Sequence, residues 1–124
     1  MVKGIRNRVF VLLAAIWILM GVASCEKPDN LPQLEIHVLD LAGRPVSSAY
    51  AALFITYDEW IMQDNPVQAW RKTGIDGRVL FTDLQEISYY IYIRSGDADN
   101  TLNEIRTTGS LSANQRRILT VHIQ

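Results

Sequence analysis

The chain holds one cysteine, Cys25, two histidines and four prolines in 124 residues. A single cysteine excludes an intramolecular disulfide in any compartment, so stability must come from apolar packing and strand pairing. Basic charge is scarce as well, with 12 Lys and Arg against 13 Asp and Glu. Lys3, Arg6 and Arg8 stand in the first eight positions, whereas every acid lies beyond Cys25. Past residue 24, nine basic residues therefore face 13 acids, a net charge of −4. Nucleic acid needs clustered Lys and Arg to displace its counterions, and this charge balance excludes it as a partner. No Gly-x-Ser-x-Gly, His-Glu-x-x-His or phosphate-loop pattern occurs, and Ser47, Ser48 and Ser110 have no base partner in the sequence. The residues predict no catalytic centre, no cofactor and no metal site.

What is present begins with an export pattern. The basic stretch MVKGIRNR is followed by an uncharged apolar run from Val9 to Met20 and then by Gly21-Val-Ala-Ser-Cys25. Basic residues stay on the cytoplasmic side while an apolar helix enters the translocon. From Val9 to Ser24 is 16 residues, short of the roughly 17–25 that a membrane span needs. The following Glu26-Lys-Pro-Asp-Asn30 is polar and broken by proline, unlike a stop-transfer flank. Val22-Ala-Ser-Cys25 resembles the lipobox of bacterial lipoproteins, which implies lipidation of the Cys25 thiol and cleavage before it. Cysteine is required because its thiolate is the nucleophile that takes the lipid. Two or three acyl chains, at about 0.8 kcal/mol per buried methylene, exceed the two-signal threshold for stable anchoring. The expected organisation is a signal segment over 1–24, a lipidated tether over 25–32 and one folded domain over 33–124.

In that domain the apolar pattern has period two. Leu34, Ile36 and Val38 alternate with Glu35 and His37, predicting a first strand, and residues 41–45 read as a turn. Residues 48–57 are apolar on both faces and predict a central strand. Residues 58–66, with Trp60, Ile61 and Met62, read as a longer loop or short helical turn. Strands are predicted over 68–73, 78–82 and 88–94. Asp76-Gly77 supplies the positive φ of a reversal that would pair the third strand with the fourth. Residues 96–101 read as a loop, 104–107 as a sixth strand, and 117–124 as the last. Six or seven short strands without a long helix predict an all-β sandwich.

Four stretches carry a more specific likeness: Val38-Leu-Asp-Leu-Ala-Gly-Arg-Pro-Val46, Ser48-Ala-Tyr-Ala-Ala-Leu53, Lys72 to Leu84 with its Thr73 and Gly77, and Tyr89-Tyr-Ile-Tyr-Ile93. They resemble carboxypeptidase regulatory-like domains, which are transthyretin-like Greek-key sandwiches. Small lipoproteins of that type add an acidic-Trp pair after the second strand, as Asp58-Glu-Trp60 does here, and a Gly-then-Asn loop, as Gly96 and Asn100 do. One departure is Gly74, where the family usually has Asp. The resemblance implies a Greek-key, Ig-like sandwich of about seven strands that adheres, assembles or binds without catalysis.

His37 and His122 each stand out of phase with the aliphatic face of their strand. Transthyretin-like hydroxyisourate hydrolases place histidines near these strands, but they end in Tyr-Arg-Gly-Ser, whereas this chain ends Val121-His-Ile-Gln124. Solvated strand histidines are the favoured reading over a hydrolase or metal site. Asp97-Ala-Asp-Asn100 suggests calcium, yet counting from Asp97 puts Leu102 and Thr108 where an EF-hand needs Gly and Glu. Trp60 and Trp70 remain as candidate ligand-binding residues, for sugars or protein contacts, against the reading that both pack the sandwich. The expected product is an exported lipoprotein held in the cell envelope, foremost at the outer membrane. Its partners would be the membrane through the lipid, and envelope proteins or glycans through the sandwich. A carbohydrate-binding accessory role is the alternative.

Cys25→Ser removes the nucleophile. The substituted chain should accumulate as a full-length precursor with no acylated N-terminal peptide by mass spectrometry. An intact, unlipidated N-terminus in the wild type would refute the lipobox.

Overall fold

The computed structural model describes residues 30–124, so the signal segment and Cys25 lie outside the described residues. Seven strands form two sheets: β1 (Gln33–Leu39), β2 (Tyr50–Phe54), β3 (Arg71–Lys72), β4 (Arg78–Phe81), β5 (Tyr90–Ser95), β6 (Ala98–Asp99) and β7 (Arg116–His122). Among the described residues one short helix, α1 (Tyr57–Met62), follows β2. The sheets run β4-β1-β7 and β3-β2-β5-β6. β1 is antiparallel to β4 and parallel to β7, joining the first strand to the last.

The alternation read in β1 is its burial pattern. Leu34, Ile36 and Val38 face inward and are fully buried, while their neighbours in the strand are partly exposed. They meet Val79 and Phe81 of β4 and Val121 of β7, and across the core Ala51, Leu53, Ile91 and Ile93. Burying Leu or Ile contributes about 1.5–3 kcal/mol per side chain, the main term in a domain without a disulfide. We call base the end where Asn30 enters and β1 and β7 begin. The apex is the opposite end, with the turns at 40–45 and 74–77. At the base, Asn30 and Asn114 exchange two hydrogen bonds, each of 2.8 Å, and Leu84 N–H donates to Pro32 O. At the apex, the Asp40 carboxylate accepts from the N–H groups of Ala42 and Arg44, which explains an acid at the head of that turn.

Four expectations need correction. The second strand stops at Phe54, because Thr56 caps α1: its Oγ1 accepts from Glu59 N–H, and Asp58 and Glu59 favour the first turn. The third strand is reduced to Arg71–Lys72, and it pairs with β2 rather than with β4. Residues 74–77 do reverse the chain, with Gly77 N–H bonded to Gly74 O, but the reversal carries it from one sheet to the other. The stretch read as a loop over 96–101 contains β6, a two-residue hairpin turn beyond β5. Residues 104–107 form no strand. They run beside the start of β5 through a Tyr90–Arg106 bridge and the Ile91–Ile105 and Thr107–Tyr89 bonds.

Gly77 needs glycine for two reasons. Its φ is +74°, and a Cβ there would stand 2.7 Å from Val38 O and 3.0 Å from both Pro45 Cβ and Val46 N. Gly43 has φ +80° but open space around it. Gly43→Ala should therefore cost the backbone term alone, about 1 kcal/mol. Gly77→Ala adds a clash with main chain and should cost about 3 kcal/mol. Urea melts of the two variants check the order, and equal midpoints would contradict it.

Candidate functional site

The outward side of β2 and β5 carries Tyr50, Ala52 and Phe54 beside Tyr90 and Tyr92. Strand alternation puts them opposite the main core, where Ala52, Phe54, Tyr92 and Tyr90 form a second apolar cluster with Trp60. α1 lies on this face and lays Trp60 between Tyr57, Tyr90 and Tyr92, with ring centroids 5.6, 6.4 and 6.5 Å away. Trp70, just ahead of β3, stands edge-on to Tyr92 at 5.9 Å and to Phe54 at 6.3 Å. Tyr92 is thus flanked by both indoles. Toward the apex, Lys72 Nζ lies 4.9 Å from the Tyr50 ring centroid; at the other end of the face, Arg106 covers Tyr90 at 5.3 Å.

The two tryptophans differ in what they offer. Trp60 is 6% exposed, and its Nε1–H donates to Ile91 O at 2.8 Å. Trp70 is 36% exposed. Only Trp70 keeps surface for a ligand, so the two do not line one open groove. Compared with known proteins, the chain matches no family model and no curated protein. What the face does must be read from its own geometry.

His37 and His122 lie on the outer face of the three-stranded sheet. The register sets His37 beside Thr120 and His122 beside Leu39, two positions apart along adjacent strands. His37 Nε2 is 2.6 Å from Glu35 Oε2, and Arg116 reaches the other Glu35 oxygen at 3.6 Å. The His37 hydrogen bond, with the charges of His37, Arg116 and Arg78, holds the Glu35 carboxyl below the usual carboxylate range against the opposing effect of burial. Among the described residues no group of three His, Cys, Asp or Glu side chains is placed to hold a metal ion.

Asn100, read as part of a polar loop, is 1% exposed. Its Oδ1 accepts from Ile93 N–H, and its Nδ2 donates to the carbonyls of Ile91 and Glu104, at 2.7–2.9 Å. The carboxamide thus supplies β5 with the partners that two-residue β6 is too short to give. Thr73 and Thr107 serve the backbone in the same way. Thr73 Oγ1 links Ala49 N–H to Val46 O, and Thr107 Oγ1 accepts from Tyr89 N–H. These three are the buried polar residues among those described, and each is spent on main chain. The signal for Asn100 was a polar residue directly after a β-prone hairpin, but only the fold shows that it points inward.

Two open clefts meet at Asp83 on the base. One, of about 400 Å³, runs along Asn30, Leu31, Gln33 and Arg116. The other, of about 350 Å³, runs along Ile55, Glu59, Gln68 and Tyr89.

The burial difference separates the two tryptophans by experiment. Trp60→Ala opens the second cluster and strips one donor from Ile91 O, and should cost about 3 kcal/mol or more. Trp70→Ala should cost less than half of that, since much of its surface already faces water. Equal losses in urea melts would mean that Trp70 is as much a core residue as Trp60.

Proposed function

We propose that the chain is an exported, lipid-anchored envelope lipoprotein whose carboxypeptidase regulatory-like, transthyretin-like sandwich is a non-catalytic binding or assembly module. The observation that carries this reading is where the folded domain starts. Asn30 is already pinned to Asn114, and Gln33 opens the central strand of its sheet. Only four residues lie between Cys25 and Asn30, five backbone steps in all. At about 3.3–3.6 Å per residue they span roughly 17 Å at most. The seven residues of β1 alone rise about 23 Å. A lipid on Cys25 therefore keeps the base near the bilayer, while the apex and the flanks face partners.

The arrangement is measurable with the lipidated chain in phosphatidylethanolamine–phosphatidylglycerol vesicles that contain a nickel-chelating lipid. A nitroxide at Ser112→Cys on the base should relax several-fold faster than one at Ile75→Cys, the apex position that is 95% exposed. Equal relaxation at the two sites would refute a base-down tether.

A further inference from the structure

We propose that the outer edge of β7 is a strand-docking site that receives an extended segment of a different protein, antiparallel to β7. The phase of the β1–β7 ladder is fixed at both ends. Gln33 N–H donates to Gln115 O at 3.0 Å, and Ile123 N–H donates to Leu39 O at 2.9 Å. In a parallel pair this turns the main-chain groups of 115, 117, 119, 121 and 123 toward β1. Those of Arg116, Ile118, Thr120 and His122 point away from the sheet. Gln124, next in the outward series, exchanges two bonds with Asp99 of β6, at 3.0 and 3.1 Å. Such a reciprocal pair is antiparallel. β6 thus opens an antiparallel lane beside β7, and the chain leaves it at once as Asn100 turns inward. At the base, Arg117 closes the lane by donating to Thr108 O and Ser110 O. Between these ends, the outward N–H and C=O of Ile118, Thr120 and His122 have no partner among the described residues.

The other edges are closed. β3 and β6 are two residues long. On β4, Arg78 N–H bonds the Asp76 carboxylate, Arg78 O accepts from Gly74 N–H, and Thr82 O accepts from Gln68 Nε2, leaving Leu80 alone. On β5, Ile91 and Ile93 are met by Ile105 O, Asn100 and Trp60. Proteins blunt their strand edges because an open one templates another chain. Here the longest strand at an edge is the open one. Donors and acceptors repeated at every second residue, about 6.6 Å apart, are matched by extended backbone and by little else.

A second copy of this chain does not fit the lane. Its β4 runs in the needed direction but offers only Leu80. Its β7, set antiparallel, would place the two bases at opposite ends. Chains anchored through Cys25 in one membrane cannot adopt that arrangement, a step that rests on the lipid-anchored reading above. The occupant is therefore another protein's segment, entering beside Asp99 and leaving beside Arg116. Ile118, 57% exposed on the outer face, favours an apolar side chain opposite it.

The test is residue-resolved amide exchange on the lipidated full chain in nanodiscs, with the acetylated, amidated peptide Thr-Val-Thr-Val-Thr-Val-Glu as probe. In the free chain the amides of Ile118, Thr120 and His122 should exchange at least about tenfold faster than those of Leu119, Val121 and Ile123. Millimolar peptide should slow the fast set about tenfold. Thr120→Pro removes an outward N–H without touching the β1 ladder, so it should fold and lose the peptide effect. The same peptide N-methylated on every amide, which has no donor on either edge, provides that control from the other side. Unchanged exchange with peptide, or equal protection by the N-methylated peptide, overturns the proposal. So does a doubled particle mass that Thr120→Pro abolishes, which would make the occupant a second copy. The intact mass of the same sample reports acylation of Cys25. An unacylated chain ends the lipid-anchored reading, while the peptide result still decides the edge.

Discussion

The rest of the structure depends on the pairing of β1 with β7. No disulfide joins the ends of this chain, and a seven-residue parallel ladder does so instead. β1 is bonded on both sides, to β4 and β7, and its three inward aliphatics are fully buried. The second sheet is positioned by packing on that wall. Residues at the two ends of the domain also meet at the base, where Asn30 and Asn114 close the same side of the sandwich.

A second constraint follows from short strands. Main-chain groups cut off from water need partners, and an unmade bond costs about 1–3 kcal/mol. With two-residue strands at both margins of the larger sheet, side chains replace strands. Asn100 and the Trp60 indole supply β5, Thr73 ties the start of β2, and Thr107 ties residue 89. The aromatic face has the same origin, since α1 must cover the outward side of β2 and β5 and does so with its one buried residue. Much of the polar and aromatic character that reads as a binding site in sequence is therefore structural in Trp60 and Asn100, and Trp70 keeps the remaining surface.

The strands with strict alternation were legible because burial on one face leaves period two in the residues, as in Leu34, Ile36 and Val38. The all-β class and the two-sheet architecture followed from such segments. Pairing was less legible. Asp76-Gly77 announces a reversal with positive φ, but a turn within one sheet and a turn between two sheets use the same residues. Gly77 is required here by the approach of Val38 O. A short helical turn was one of the two readings of residues 58–66, but its start at Tyr57, set by the Thr56-Tyr-Asp-Glu59 capping box, was missed because Ile55 and Tyr57 continue an apolar run. Trp60 could not be told from Trp70, since their difference lies in the carbonyl one of them reaches. The reading of Cys25 rests on local pattern alone, and it falls outside the described residues.

Because β1 leans on β7, the polypeptide cannot finish its wall in the order in which a ribosome makes it. The first strand emerges with both its neighbours, β4 and β7, still unmade, and the seven residues of β7 come last among the described strands. Such long-range pairing folds slowly and only once both partners exist. A nascent chain of this design stays open until β7 appears, and that strand then acts as the latch.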